Sequence, residues 1–389
     1  MSASITFFPV GCGDMTLVRL ADSNATAVLV DVNIRTAADD PDDAARDVAG
    51  DLRERLPRDA QGRPYVDAFL LSHPDKDHCS GLETHFHLGP LSDYPDDKKP
   101  DAEKKIVIRE IWSSPLVFRR ASKYHTLCSD AKAFNREAKR RVQCFRDGIG
   151  NADGERILIL GEDENGKTDD LGAILVRAGE YFNRINGNAN AHFQAHLLAP
   201  LPCQDDDDEE LLSKNHSSTI LNMQLASSTL RPDSCRFLTG GDAEVAIWER
   251  VWERHKHTPD VLAYDVLQAP HHCSWHSLSY DSWSQLGEEA KVAPDARAAL
   301  GQARFGAFVV ASSKPIKDDD ADPPCIRAKR EYQDILSSAS GMFLCTGEHP
   351  KSWAPEPLEI EITAAGARKK AARSSAVASV AAAAAPRAG

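Results

Sequence analysis

An α/β fold of two packed sheets with helices on the outside is what the sequence predicts, and three observations predict it. Apolar runs of strand length come in groups. Amphipathic stretches at helical spacing lie between and after those groups. The same alternation repeats in the two halves of the 389-residue chain, and two layers of sheet covered by helices is the stable way to bury such faces.

The elements follow in order. Residues 4–8, 15–20 and 25–32 read as an N-terminal β-meander, with Gly11 and Gly13 marking a sharp turn. Residues 39–56 carry Ala45, Val48, Ala49, Leu52 and Leu56 at helical spacing, an amphipathic helix. Residues 66–71 are a strand, and Cys79 to Leu82 reads as the opening of a helix. Residues 88–105, rich in Pro, Asp and Lys, read as a surface insertion before a strand at 106–112. Residues 115–147 are helical and basic, with Arg119, Arg120, Lys123, Lys132, Arg136, Lys139, Arg140 and Arg141. They suit a solvated face or a cationic wall for an anionic substrate. Strands are expected at 156–160, 192–198, 217–225, 236–239, 261–269, 305–312, 341–345 and 358–363, and helices at 243–255, 277–290 and 329–338. The acidic block 205–210 reads as a mobile loop. The Ala-rich end, 364–389, reads as a disordered tail outside the fold.

Chemistry concentrates after the strand 66–71, in Ser72-His73-Pro74-Asp75-Lys76-Asp77-His78. Two imidazoles and two carboxylates on one strand-to-helix loop are good ligands for a borderline or hard divalent cation. Asp77 and His78 are adjacent, so only a loop can aim both inward; a strand would send them to opposite faces. Two later turns share the setting. Phe237-Leu238-Thr239-Gly240-Gly241-Asp242 is a strand, a glycine turn and an acid at a helix start. Val266-Leu267-Gln268-Ala269-Pro270-His271-His272 is a strand ending in paired histidines. If these strands lie with like ends together, all three loops meet on one edge.

Taken together, these motifs resemble those of metallo-β-lactamase-fold hydrolases. The pattern His73-x-Asp75-x-Asp77-His78, with Val10-Gly11-x-Gly13-Asp14, Thr239-Gly-Gly-Asp242 and Pro270-His271-His272-x-Ser274, is similar to the subgroup typified by the soluble domain of the DNA-uptake channel ComEC. The resemblance spans roughly residues 4 to 345. It implies a four-layer αββα sandwich of two mixed sheets over residues 1–363, with insertions near 88–105, 115–155 and 203–213. It also implies two divalent ions per chain, Zn2+ or Mn2+. His73 and Asp75 would hold one ion, Asp77 and His78 the other, and Asp242 would bridge them. His271 or His272 would be a terminal ligand; His271 is assigned as the ligand, and His272 with Asp77 as the catalytic pair. Asp14 and Asn215-x-Ser217 would support the site. Cys12, the doubled Gly240-Gly241 and Cys273 depart from the subgroup's pattern. His196 and His216, the nearest candidates for a further ligand, read as ordinary strand or loop histidines.

Composition bounds the function. A net charge of -13 argues against a broad basic surface for nucleic acid. Nine scattered cysteines without a C-x-x-C pair fit reduced cytosolic thiols. No signal peptide or membrane span is visible, so the expected location is the cytoplasm. Metal ligation would occupy the imidazoles that Cys79 or Cys273 would need as a base, which disfavours cysteine catalysis. Two cations sharing a water lower its pKa toward neutrality. Asp75 in place of His makes the site harder and favours phosphoesters. The expectation is a metal-dependent phosphodiesterase or nuclease acting on nucleic acid or nucleotide. A lactonase, thioesterase or β-lactamase attacking a carbonyl is the second reading. A partner-binding protein with a structural metal is the third.

Overall fold

The computed structural model describes residues 2–39, 45–119, 126–201 and 217–371. Two large mixed sheets form its centre. The first has ten strands. Gly366–Lys369, Leu358–Thr363, Ala3–Phe7, Thr16–Arg19, Ala27–Val30, Tyr65–Leu70, Ile106–Ser113, Arg156–Leu160 and Leu175–Val176 lie in that spatial order, with Phe86–His87 also pairing with Ile106–Ser113. The second has seven, in the order Met342–Cys345, Ala303–Ala311, Tyr264–Gln268, Cys235–Leu238, Ile220–Leu225, Phe193–Ala199 and Tyr181–Phe182.

Three buried clusters define the layers. Ile5, Val18 and Leu70 of the first sheet meet Leu197, Met223, Phe237 and Val266 of the second, so the sheets pack face to face. Val48, Leu52, Phe134 and Ala138 cover the first sheet's outer face from the helices Val48–Arg55 and Ser129–Arg146. Trp248, Val251, Leu300, Tyr332 and Leu336 cover the second from Val245–His255, Pro294–Leu300 and Ile326–Ser338. The end of the strand Tyr65–Leu70, buried on both faces, is apolar, as Ala68-Phe69-Leu70 shows.

The structure departs from the sequence-based expectations at several elements. The helix expected over 39–56 runs only from Val48 to Arg55, because the Asp47 carboxylate accepts the Gly50 N–H at 2.7 Å and caps it there. The stretch 115–147 divides into Pro115–Phe118 and Ser129–Arg146; Arg120 and Lys123 lie outside the described residues. That second helix packs on the sheet, with Phe134 and Arg141 buried against it. Its arginines do not form a bare cationic wall. Arg140 and Arg141 pair with Glu137, Arg136 pairs with Glu83 and Arg119 with Asp163, so acids beside them offset much of the row. Residues 277–290 form short turns, including Trp283–Leu286, and the longer helix is Pro294–Leu300. Gly366–Lys369, placed by composition in the tail, pairs antiparallel with Leu358–Thr363, because Thr363 to Gly366 turns the chain back onto the sheet edge. The acidic block 205–210, the expected insertion at 203–213, Asn215, His216 and the rest of the tail lie outside the described residues. The cysteines among the described residues are all free thiols. Among them too, no helix is long and apolar enough to cross a membrane.

Candidate metal centre

Loops from both sheets meet at the carboxyl ends of their parallel strands, the edge where α/β sheets present ligand sites. Backbone hydrogen bonds tie them together. Thr219 N–H donates to the Ser72 carbonyl at 3.0 Å, joining the two sheets. His271 N–H donates to the Gly241 carbonyl at 2.9 Å, and Asp14 N–H to the Asp77 carbonyl at 3.2 Å. Val32 N–H and Ile34 N–H donate to the carbonyls of His78 and Ser80. Two glycines allow this closeness. A Cβ on Gly13 would lie 2.0 Å from Asn33 Nδ2 and 2.7 Å from the Asp77 carbonyl oxygen. At Gly241, φ +47°, a Cβ would lie 3.0 Å from the Ser72 hydroxyl and 3.1 Å from the Ser218 hydroxyl. Gly13→Val is therefore expected to open the loop around Asp77 and to lower metal affinity at least tenfold, read by titration with Zn2+ while far-ultraviolet circular dichroism reports the fold.

Ligand atoms gather in two groups that share Asp242. Asp14, His78, Asp242 and His272 form one, all buried; His73, Asp75 and Asp242 form the other. Asp242 presents Oδ1 to His78 Nε2 at 3.0 Å and His272 Nε2 at 3.5 Å. Its Oδ2 faces His73 Nε2 at 3.2 Å and His271 Nε2 at 3.7 Å. His78 Nε2 and His272 Nε2 are 3.3 Å apart, and Asp77 Oδ2 is 3.3 Å from the latter. Four donors each about 2.0–2.1 Å from one tetrahedral ion are about 3.3 Å from one another. The observed spacings match that figure. Both Asp14 oxygens, His73 Nε2, Asp242 Oδ1 and His272 Nδ1 are buried without a hydrogen-bond partner. Buried polar atoms left so are costly unless an ion or water completes them, so the residues present fit a divalent metal.

The electrostatics follow from this crowding. Burial disfavours charge on His78, but Asp242 and Asp31 outweigh it and raise its pKa well above the ordinary histidine value. Burial likewise opposes charge on His272, and Asp242, Asp14 and Asp77 overcome it. Burial pushes Asp242 up, whereas His78, His272 and His73 draw it well below the usual carboxylate range. Asp77 is also lowered, its burial outweighed by the hydrogen bond and charge of His272 and by His78. His271 is lowered by burial.

The sequence-based candidates take distinct places around this cluster. His271 was the expected ligand and His272 the catalytic group. The structure puts His272 inside the four-residue group, while His271, its side chain 18% exposed, borders the opening on the Asp242 Oδ2 side. The backbone decides this: Pro270–His272 ends the strand in a tight turn with φ near +50° at both histidines, which sends the two rings apart. Asp77, expected beside His78 as a ligand, is 39% exposed and sits at the mouth, outside the tightest group. Residues 76–79 form a helical turn, so consecutive side chains diverge by about 100° and only His78 points fully inward. Asp14, expected as support, joins the ligand group itself.

Asp31 had drawn no attention in the sequence. Its Oδ2 accepts His78 Nδ1–H at 2.8 Å and the Ser72 hydroxyl at 2.6 Å, and its Oδ1 accepts Ser72 N–H at 2.7 Å. This turns His78 Nε2 toward Asp242. A lone acid ending the strand Ala27–Val30 carries no local pattern; only an Asp at positive φ, 55°, marks it, and that is a structural signal. Asp31→Ala is expected to weaken metal binding by about 10- to 100-fold, as losses of such orienting carboxylates do. Metal-bound stoichiometry at limiting Zn2+ reads it, and unchanged affinity would show that His78 needs no such partner.

Elsewhere, His196 lies away from this centre, stacked on Tyr181 at 4.1 Å, in keeping with a strand histidine. Cys79 and Cys273 are buried. The hydrogen bond with Cys128 raises the first thiol's pKa and burial raises the second, so both stay protonated and unreactive. Neither the protein-family models nor the curated proteins searched include a match to this chain.

Proposed function

We propose that this protein is a metallo-β-lactamase-fold hydrolase that cleaves phosphodiesters with two divalent ions, Zn2+ or Mn2+. The observation that carries the reading is Asp242, whose two carboxylate oxygens face two different ligand groups. A carboxylate placed so could hold one cation with each oxygen. The donor set is rich in oxygen: Asp14, Asp75 and Asp242, with Asp77 at the rim. Such a set is hard and electron-rich, which favours phosphoryl oxygen over amide as the ligand to be exchanged.

When bound, paired divalent ions polarise a phosphoryl oxygen and lower the pKa of water. The chain's own residues do the rest. His78 is held by Asp31, and the Asp242 backbone N–H is held by the Ser218 hydroxyl at 3.1 Å, so both keep their aim. Asp77, ionised and partly exposed at the rim, has Oδ2 3.3 Å from His272 Nε2, where it would orient the attacking water by accepting a hydrogen bond. His271 presents Nε2 at the same opening, where it orients the leaving oxygen. The chain's acidity, -13 overall, favours a nucleotide or short strand over a long duplex. Purified protein with Mn2+ or Zn2+ is tested on single-stranded DNA, RNA, cyclic dinucleotides and bis-p-nitrophenyl phosphate. Turnover lost in Asp77→Ala and Asp242→Ala supports the reading. No turnover, or cleavage of lactone or nitrocefin alone, overturns it.

A further inference from the structure

A second group of unpartnered ligand atoms lies on the outer face of the second sheet, on elements that contribute nothing to the metal centre. His196 and Asn222 are direct partners across the antiparallel strands Phe193–Ala199 and Ile220–Leu225, so their side chains share a face. His255, last residue of the helix Val245–His255, packs against His196, with ring centroids 5.7 Å apart at 78°. The exposures are 4% for His196, 4% for Asn222 and 8% for His255. The Gly179 backbone bonds one side of the His196 ring, and Nδ1 on the other side is buried without a partner. His255 Nε2 is buried without a partner as well. Asn222 donates its amide hydrogens to the carbonyls of Val261 and Ala263, both at 3.0 Å, and its Oδ1 has none. Two imidazole nitrogens and an amide oxygen left so in one neighbourhood are costly, and a bound ion or water would relieve that cost.

We propose that His196 Nδ1, His255 Nε2 and Asn222 Oδ1 form a second cation site, for a borderline divalent metal such as Zn2+, with its fourth position open to water. The ring geometry fits. With a metal–nitrogen bond of about 2.0–2.1 Å, an imidazole centroid lies about 3.2 Å from the ion, and two such rings at tetrahedral angles have centroids about 5.2–5.5 Å apart. The observed 5.7 Å needs only a small closure. Burial, with smaller contributions from its neighbours, holds His255 down to about 4, and burial lowers His196 too. Both rings are therefore neutral at pH 7, the form that ligates metals. Arg254 is the nearby fixed charge, and its guanidinium is turned to the Ala178 carbonyl at 2.9 Å. Stacked Tyr181, half exposed, stands between His196 and solvent and offers the way in.

The test uses the full chain carrying Asp242→Ala, which weakens the first centre, and isothermal titration with Zn2+ alone. One equivalent is expected to bind, and adding His255→Gln or His196→Gln is expected to weaken that binding at least tenfold. Imidazole nitrogen resonances of the otherwise native protein give an independent readout should either variant misfold: His196 Nδ1 and His255 Nε2 shift together on adding Zn2+. Unchanged binding in the double variants overturns the proposal. So do resonances that ignore Zn2+, the result expected if only a buried water joins the three atoms. Neither readout depends on catalysis, so failure of the hydrolase reading leaves this test intact.

Discussion

Asp242→Ala is expected to reduce metal-dependent phosphodiester turnover by on the order of 10³-fold or more while leaving the fold in place. The loss is large because both ligand groups share this one carboxylate. Metal stabilisation of the transition state is worth several kcal/mol, and each ~1.4 kcal/mol is tenfold in rate. The fold survives because the residue's structural work is done by its neighbours: Gly241 makes the turn, and the Ser218 hydroxyl holds the backbone N–H. In the metal-free variant His73, His78 and His272 lose the anion that their rings share, so His78 and His272 titrate lower than in the parent. Metal content, turnover of bis-p-nitrophenyl phosphate and circular dichroism check the three parts separately. Asp242→Asn keeps the shape and removes the charge, and should behave nearly as badly. Full metal content in either variant would show that the carboxylate is not a bridge.

Breaking the Glu137–Arg141 pair is expected to cost the protein the most stability, about 3–5 kcal/mol, as leaving one buried charge alone does. Arg141 is almost wholly buried. Its Nε donates to Glu137 Oε1 at 2.7 Å, and its terminal nitrogens donate to the carbonyls of Ile108, Arg109 and Arg156. Those carbonyls lie on two parallel strands of the first sheet, so one guanidinium pins the helix Ser129–Arg146 to the sheet. Glu137→Gln removes the counter-charge and strands the Arg141 cation; Arg141→Met removes the anchor but leaves Glu137 paired with Arg140, so it costs less. The pair also makes stability depend on acid. Burial raises the Glu137 carboxyl, but hydrogen bonds and charges from Arg140 and Arg141 outweigh it and hold it at about 2. A carboxylate depressed in the folded state stabilises above its unfolded value and loses that contribution as pH falls toward the folded one. Urea midpoints should therefore fall between about pH 4.5 and about pH 2 in the parent, and fall less in Glu137→Gln. Equal slopes in the two proteins would show that the pair does not control acid stability.

The legible part of this fold was its alternation. Apolar runs such as 66–71 and 261–269, each followed by a turn rich in Gly, Pro, His or Asp, located the strands and the chemistry together, because strand ends and ligand loops both have local signatures. Element ends were harder to place. The helix Val48–Arg55 starts at a cap formed by Asp47, and helical spacing alone extended it too far upstream. The helix Ser129–Arg146 read as a solvated or substrate-facing cationic surface because composition counts Arg141 as exposed charge; only packing shows it buried and paired.

By itself the sequence determined the residue types and order of the centre. His73, Asp75, His78, Asp242 and the histidine pair were identifiable, because metal-ligating side chains on glycine- or proline-punctuated strand ends are a local pattern. Tertiary structure alone decided which donor takes which place. Whether His271 or His272 points inward depends on positive φ angles after Pro270, and whether Asp77 binds or borders depends on the helical turn at Lys76. Asp31 and Asp14 join through contacts across 47 and 258 residues, from His78 Nδ1 to Asp31 Oδ2 and from His272 Nδ1 to Asp14 Oδ1. Long-range contacts of that kind leave no periodicity or spacing in a single chain, because the backbone between the partners can take any course that returns them to the same rim.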